Sequence, residues 1–338
     1  MHTLARKEAT MPRPKVFVTR RIDADALKSL EPHVDLNIWE GWFPPDRKQF
    51  LALSSDCDGL LTTVSERVDA ELMDVSPNLR VVSNMATGVD NVDIDEASRR
   101  GILIGRTPGV LDKTTAEMTI ALLFASARRI VEADQFVRSG KWETWHPAQM
   151  VGRDLRDSTL GIIGLGNIGL EVAILARMIG MRVIYYQRSR RPQEEEKYQL
   201  EYMASLEQVL VSADFVSLHI PLTTETHHLI STQELDTMPR HSILVNTARG
   251  QVVDQKALYE ALVNGVIAGA ALDVTEIEPI PLDDPLLGLP NIIILPHMGS
   301  ATIRSRAGMA DLATRNLLTG LRGESMPACA NPEAIHDA

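Results

Sequence analysis

Three side chains suited to acid–base and anion-binding chemistry lie in the C-terminal half of the chain. Arg249, Glu278 and His297 each follow a short apolar segment that has the pattern of a β-strand. Doubly wound parallel sheets bind their ligands at the carboxyl ends of the strands, so we expect the three side chains to converge there. A histidine can transfer a proton near neutral pH, and an arginine can hold an anion.

A glycine-rich turn in mid-chain predicts a dinucleotide as their partner. Residues 164–169 have the sequence Gly-Leu-Gly-Asn-Ile-Gly, directly after the apolar segment 160–163. In this motif the first glycine permits the tight turn, the second lets the backbone approach the pyrophosphate, and the third lets helix pack on strand. The phosphates then lie at a helix N-terminus. We therefore expect the arginine, the carboxylate and the histidine near the nicotinamide end of the cofactor.

The end of the next predicted strand bears on which nicotinamide cofactor is used. In an NAD site an acidic residue at this position binds the ribose 2′-hydroxyl. Here the position is occupied by Gln187, and Arg188 and Ser189 follow it. An arginine and a hydroxyl can hold a 2′-phosphate, so we predict a preference for NADPH, with NADH possible. The alternative is a solvated basic turn without a ligand.

Strand and helix patterns alternate on both sides of the glycine turn, which predicts parallel sheets covered by helices. A capping-box pattern at 114–117 predicts a long apolar helix to about Val137, buried in a core or at a subunit interface. Clear helix signals also run from Asp254 to Gly265 and over 302–321. The predicted strands are 16–19, 34–39, 59–64, 79–83, 102–105, 160–163, 182–186, 215–219, 243–245, 267–272 and 292–295. We predict an α/β protein with two doubly wound parallel-sheet domains and a ligand in the crevice between them.

Composition and charge disfavour several classes of partner. The chain has 44% hydrophobic and 23% charged residues, no apolar run near the roughly 20 residues that span a bilayer, and a net charge of −11. That charge disfavours nucleic acid and anionic membranes. Residues 1–15 lack the apolar segment of a secretory signal, and Cys57 and Cys329 have no metal-binding spacing. We predict a cytoplasmic protein with reduced thiols and no metal, nucleic-acid or membrane partner.

The order and spacing of these segments resemble the D-isomer-specific 2-hydroxyacid dehydrogenases over nearly the whole chain, from about Lys15 to Gly323. The matching motifs are 85–93, 106–110 and the segments around Arg249, Glu278 and His297. Residues 136–140, residues 145–147 and the tyrosine-rich strand ending at Tyr186 look most like the glyoxylate/hydroxypyruvate reductases. The resemblance implies reduction of a short 2-oxo acid, such as glyoxylate or hydroxypyruvate, to a D-2-hydroxy acid.

The resemblance also implies a role for each residue of the site. His297 is the implied general acid/base, and Glu278 would favour its imidazolium form and fix its orientation. Arg249 would bind the substrate and polarise its carbonyl oxygen. Backbone N–H groups around Thr87 and Gly88 would bind the substrate carboxylate.

Further residues around the two ligands are implied in the same way. Val64 would face a short substrate. Trp145 falls where similar reductases place an aromatic residue near the substrate site, in some of them from the partner subunit. The alternative for Trp145 is an interface anchor without substrate contact. The implied cofactor-binding residues are Thr115, Gly164, Gly166, Asn167, Ile168, Gln187, Arg188, Ser189, Pro221, Thr226, Thr247, Ala248, Asp273 and Gly299.

The resemblance gives the expected domain arrangement. A flavodoxin-like substrate domain, residues 15–110 and 300–330, is interrupted by a Rossmann nucleotide-binding domain, residues 111–299. The last helix returns the chain to the first domain, which explains why the glycine turn lies in mid-chain. Closure of the two domains would exclude water from the reaction. The family usually forms homodimers, and the apolar helix after Thr114 suits such an interface.

Several alternatives remain open. A phosphite dehydrogenase shares much of this motif set, and the region of residues 136–140 and Trp145 does not exclude it. A formate dehydrogenase is disfavoured because those relatives carry glutamine at the position of Glu278, and a phosphoglycerate dehydrogenase usually has a further C-terminal domain. A non-catalytic, dinucleotide-sensing corepressor has the same fold and can retain all three site residues. Turnover of a 2-oxo acid would distinguish an enzyme from such a sensor.

Overall fold

Short apolar segments alternate with capped helices and build two parallel sheets in the computed structural model, which describes residues 12–335. The chain divides into two units. The first consists of the described residues up to Leu111 together with those from Thr302 onward, and the second is Asp112–Ala301. Residues 1–11, which form most of the predicted N-terminal tail, lie outside the described part. Within that part we find no helix with the length and apolarity needed to span a membrane.

The first unit contains a five-stranded sheet in the order β2-β1-β3-β4-β5, which is the flavodoxin-like order. Its strands are β1 Lys15–Val18, β2 Asp35–Ile38, β3 Gly59–Thr62, β4 Val81–Asn84 and β5 Leu103–Gly105. Its helices are α1 Ala24–Leu30, α2 Arg47–Ser54, α3 Ala70–Val75, α4 Ile94–Arg99 and, last in the chain, α12 Ile303–Leu321; a 3-10 turn follows at Pro332–Ile335. Helix α12 packs on β3 and β4, where the Ser83 hydroxyl donates to the Ala313 carbonyl at 2.8 Å.

The second unit contains a seven-stranded parallel sheet in the order β12-β11-β10-β9-β6-β7-β8. Its strands are β6 Thr159–Ile163, β7 Arg182–Tyr186, β8 Glu201–Tyr202, β9 Phe215–Leu218, β10 Ile243–Asn246, β11 Gly269–Leu272 and β12 Ile292–Ile294. Its helices are α5 Asp112–Ala127, α6 Ile130–Arg138, α7 Asn167–Ile179, α8 Pro192–Tyr198, α9 Leu206–Ser212, α10 Thr232–Thr237 and α11 Gln255–Val263, with 3-10 turns at Gly250–Val252 and Pro285–Gly288. The strand order reverses between β6 and β9, which is where doubly wound sheets bind nucleotides.

Burial and capping explain why these segments take these forms. Every residue of β6, β9, β10 and β11 is buried, as expected for strands covered on both faces. Helix α11 begins directly after Asp254, whose carboxylate accepts the Ala257 N–H at 3.0 Å, and it ends before Asn264 and Gly265. The helix predicted from Asp254 is therefore confirmed.

The predicted long helix after Thr114 is wrong in two respects. Helix α5 begins at Asp112, before the capping-box pattern, and it ends at Ala127 instead of continuing to Val137. Arg129 takes a left-handed conformation with φ 54°, and the Ala127 carbonyl accepts the Arg153 N–H at 2.8 Å. The chain therefore breaks into two helices. The second, α6, buries none of its own side chains against the described residues.

The sequence prediction also missed β8 at the edge of the second sheet. Its two residues pair with Ile184 and Tyr185 of β7, and Arg182 Nε donates to Glu201 Oε1 at 2.8 Å. A strand this short has no periodic pattern to recognise, because its position depends on the neighbouring strand.

Candidate active site

The three chemically active side chains follow three neighbouring strands of the second unit. Arg249 comes after β10, Glu278 after β11 and His297 after β12. These strands are adjacent and parallel, so their carboxyl ends lie along one edge of the sheet. The order of the strands in the sheet therefore brings Arg249, Glu278 and His297 to the same edge.

His297 and Glu278 form a direct pair. The distance from His297 Nδ1 to Glu278 Oε2 is 2.7 Å, and both side chains are about one-third exposed, at 32% and 37%. The second carboxylate oxygen of Glu278 accepts the Thr275 N–H at 3.2 Å. Because Nδ1 faces the carboxylate, Nε2 is the ring nitrogen directed away from Glu278. The pair therefore has the arrangement of an imidazole oriented by a carboxylate.

The backbone around His297 is held by Asp273. His297 has φ 52°, which is uncommon for a residue other than glycine, and its N–H donates to the Asp273 carbonyl at 2.9 Å. The Asp273 carboxylate accepts the N–H groups of Met298 and Gly299, each at 2.7 Å. Burial raises the pKa of Asp273, while these two hydrogen bonds act in the opposite direction. Asp273, predicted only as a cofactor residue, thus also anchors the histidine turn.

Asn246 holds the turn that carries Arg249. Its side-chain amide donates to the Arg249 carbonyl at 2.8 Å, and its amide oxygen accepts the Ala248 N–H at 3.0 Å. The Arg249 guanidinium donates from Nη1 to the Ala248 carbonyl at 2.8 Å. Asn246 was not among the predicted site residues. An asparagine at the end of an otherwise apolar strand is nevertheless a sequence feature that could have indicated a residue of the site.

The glycine turn has the geometry needed to cradle a pyrophosphate. Gly164 has φ 94°, and a Cβ there would lie 2.6 Å from the His219 carbonyl oxygen. A Cβ at Gly169 would overlap the Gly164 carbonyl, so the helix packs directly on the turn. A Cβ at Gly166, the N-cap of α7, would meet no described atom within 4 Å. The turn therefore leaves open space at the N-terminus of α7, which Asn167 begins, and this fits a bound phosphate.

Gln187 links the glycine turn to the segment after β7. Its side-chain oxygen accepts the Leu165 N–H at 3.0 Å, and its amide donates to the Ser189 carbonyl. No carboxylate stands at this position, so the residue that commonly selects NAD is absent from it.

The arginines after Gln187 differ in what they already bind. Arg190 pairs with Glu195 at 2.7 Å, and Arg191 pairs with Glu194. The exposed Arg188 forms neither a hydrogen bond nor a salt bridge with any described residue. Among the described residues, Arg188 is therefore the arginine of this group without a hydrogen-bond or salt-bridge partner, although its charge adds to the Thr223 hydroxyl in lowering the pKa of Glu225.

The other predicted cofactor residues of the second unit line the same edge of the sheet. A Cβ at Gly299 would lie 3.3 Å from Thr115 Cγ2, which brings α5 to the histidine turn. The Thr247 hydroxyl lies 2.9 Å from that of Thr119, and the Thr226 hydroxyl donates to the Pro221 carbonyl at 2.7 Å.

The predicted substrate residues lie in both units. Val64 follows β3 and is 40% exposed, and Thr87 and Gly88 follow β4. The Thr87 hydroxyl donates to the Thr107 carbonyl at 3.3 Å. These three residues belong to the first unit. Trp145 belongs to the second unit, where it is 76% exposed.

Comparison with known proteins identifies the class. The family model described as "D-isomer specific 2-hydroxyacid dehydrogenase, NAD binding domain" matches residues 120–299. The chain belongs to this family, and it is an NAD(P)-dependent oxidoreductase with a Rossmann domain.

One curated relative and two solved structures are similar to this chain over nearly its whole length. A curated protein of Korarchaeum cryptofilum named glyoxylate reductase is 49% identical over 324 residues, which is 96% of this chain and 97% of the relative. A solved structure from Thermus thermophilus has a TM-score of 0.88 and 44% identity, covering 94% of this chain and 99% of that one. An NADPH-dependent glyoxylate/hydroxypyruvate reductase from Sinorhizobium meliloti, solved with NADP and malonate, has a TM-score of 0.83 and 31% identity, covering 95% and 98%.

Proposed function

We propose that the protein reduces short 2-oxo acids, glyoxylate and hydroxypyruvate, to D-2-hydroxy acids and prefers NADPH as the reductant. The observation that carries this proposal is the 2.7 Å pair of His297 and Glu278 on the sheet edge that also holds Arg249. The relatives named glyoxylate reductase support the substrate class, and the NADPH-dependent Sinorhizobium structure supports the cofactor.

The proposed mechanism assigns one task to each of these side chains. Bound NADPH would supply the hydride that reduces the carbonyl carbon. Arg249 would hold the substrate carboxylate and carbonyl oxygen and stabilise the negative charge that develops on that oxygen. His297 would donate a proton from Nε2 to the same oxygen, completing the hydroxyl group. Glu278 would stabilise the imidazolium before transfer. The backbone at Thr87 and Gly88 and the side chain of Val64 are the proposed contacts of the first unit with the substrate.

A panel of substrates tests the proposed activity. With NADPH, we expect glyoxylate and hydroxypyruvate to give kcat/KM values at least about 10-fold above that of phenylpyruvate, because poor packing of a larger side chain raises the barrier. The measurement is the loss of NADPH absorbance. Oxidation of phosphite with NADP⁺, without turnover of 2-oxo acids, would indicate a phosphite dehydrogenase. Cofactor binding without turnover of any of these substrates would favour a sensor.

The cofactor preference is proposed to depend on Arg188. We expect Arg188→Ala to lower kcat/KM for NADPH by about 10- to 100-fold, the range for losing a charge-assisted hydrogen bond, with little change for NADH. Arg190→Ala is the matched control, because Arg190 already pairs with Glu195. Gln187→Asp should shift the preference towards NADH. Equal losses with both cofactors in Arg188→Ala, or a wild-type preference for NADH, would contradict the proposal.

A homodimer is also part of the proposal. Exposed apolar side chains cluster in sequence on α5, on α6 and in the segment after them: Phe124, Ile130, Val131, Val137, Trp142 and Trp145. Aromatic side chains are enriched at subunit interfaces, and homodimer interfaces are more apolar than the rest of a protein surface. Light scattering coupled to gel filtration distinguishes the dimer from a monomer.

We propose a reducing, cytoplasmic location. Its support is that Cys57 and Cys329 are both free thiols. Fractionation of the source cells tests this location.

A further inference from the structure

Hydrogen bonds of Glu276 hold the loop that carries Glu278. Glu276 takes part in no step of the proposed mechanism. Glu276 Oε1 lies 2.5 Å from His228 Nε2, and it also accepts the Gln255 N–H at 3.2 Å. The Glu276 N–H donates to the Gln255 side chain at 3.1 Å. One carboxylate thus connects the loop after β11 with the start of α11 and with the segment after β9.

The same residue connects this loop with the Arg249 segment. The Gln251 side chain donates to the Glu276 carbonyl at 2.7 Å, and the Gln251 carbonyl accepts the His228 N–H at 2.8 Å. A Cβ at Gly250 would overlap the Thr275 carbonyl, so the two backbones are in direct contact. Arg249 and Glu278 therefore lie on segments that pack together and are joined through Glu276.

The cluster of His228, Asp254 and Glu276 could alternatively bind a metal ion. His228, Asp254 and Glu276 each place one ligand-type atom within 4.8 Å of the others. The two carboxylates, however, approach opposite nitrogens of the His228 ring, Glu276 at Nε2 and Asp254 at Nδ1, 3.9 Å away. Asp254 also caps α11 with its other oxygen. This arrangement suits a histidine hydrogen-bonded to Glu276, with the Asp254 carboxylate nearby on its other side, better than a shared metal ion.

We propose that Glu276, with His228, is a positioning residue that fixes Glu278 relative to His297 and Arg249. This inference rests on the proposed function of those three residues. The carboxylate of Glu278 must face Nδ1 of His297 for proton transfer from Nε2, and small displacements of a catalytic group can lower the rate by about 100-fold. Glu276 is two positions from Glu278, so a shift of its anchor is transmitted along one short loop.

The test compares three variants with wild type. We expect Glu276→Ala to lower kcat for glyoxylate by about 10- to 100-fold, with KM for NADPH changed less than about 3-fold. Its pH dependence of kcat/KM should move towards that of Glu278→Gln. Glu276→Gln keeps an oxygen for the Gln255 N–H and should recover most of the activity. His228→Asn, chosen because residue 228 has φ 52°, should resemble Glu276→Ala in direction.

A second histidine–carboxylate pair in the same unit provides the control. His241 Nε2 lies 2.8 Å from Asp214 Oδ1, on a different part of the sheet. His241→Ala should leave kcat and the pH profile unchanged. The proposal is overturned if Glu276→Ala keeps wild-type kcat, or if it lowers Tm and activity without moving the pH profile.

Loss of the proposed function can be told apart from failure of this inference. If wild type turns over no 2-oxo acid, the proposed function fails. The positioning role is then read from the nuclear magnetic resonance signals of the His297 ring in the NADP⁺-bound protein. Movement of these signals in Glu276→Ala towards their position in Glu278→Gln supports the role, and unchanged signals refute it.

Discussion

Arg249→Ala is expected to lower kcat/KM for glyoxylate on the order of 10³-fold while the protein still folds and binds NADPH. Removing one donor to a developing oxyanion commonly lowers the rate by about 10²- to 10³-fold, and Arg249 is also proposed to hold the substrate carboxylate. The turn itself should survive, because Asn246 binds the backbone carbonyl of residue 249 and not its side chain. Steady-state kinetics with glyoxylate and NADPH fluorescence titration measure the two effects separately.

Arg249→Lys is the informative companion variant. Lysine keeps the positive charge but lacks the planar fork that can contact two oxygens at once. We expect it to recover substrate binding more than kcat, because charge attracts the carboxylate while geometry polarises the carbonyl. A kcat/KM for Arg249→Ala within about 10-fold of wild type would remove Arg249 from the mechanism. Loss of NADPH binding in the same variant would instead indicate a role in folding or in the cofactor site.

Much of the architecture could be predicted because the sequence patterns that accompany buried strands and capped helices are local. Strands covered on both faces are continuous apolar runs, and Asp254 marks the start of α11 by its own side chain. The break between α5 and α6 was not predictable in the same way. The break falls on Arg128 and Arg129, apolar residues resume directly after it, and the Ala127 carbonyl accepts the N–H of Arg153 from a later segment. Such a contact exists only after folding.

The candidate site likewise has a part that could be predicted from the sequence and a part that could not. Arg249, Glu278 and His297 could be proposed from their types and their places after strands, and the structure puts His297 and Glu278 in contact. Two anchoring roles were not predicted, that of Asp273, which was predicted only as a cofactor residue, and that of Glu276. Asp273 anchors the histidine turn, and Glu276 joins two loops whose residues are distant in sequence. These roles depend on hydrogen bonds between segments, which spacing along the chain does not encode.

Replacing His297 is expected to lower kcat by about 10²- to 10⁴-fold, the usual contribution of a positioned general acid. The choice of variant matters because residue 297 has φ 52°. Asparagine adopts this conformation more readily than alanine, so His297→Asn removes the proton donor with less backbone strain than His297→Ala. We expect His297→Asn to keep the wild-type Tm and NADPH affinity while losing turnover.

The Glu278 variant distinguishes a proton-transfer pair from two independent groups. If Glu278 acts only through His297, Glu278→Gln should lower kcat in wild type but add little to the loss already caused by His297→Asn. Such non-additivity is expected when two side chains contribute to one step, as the 2.7 Å contact implies. Losses that multiply would assign Glu278 a separate task. Turnover of His297→Asn near the wild-type rate would exclude His297 as the acid, and the proton would then have to come from another group or from water.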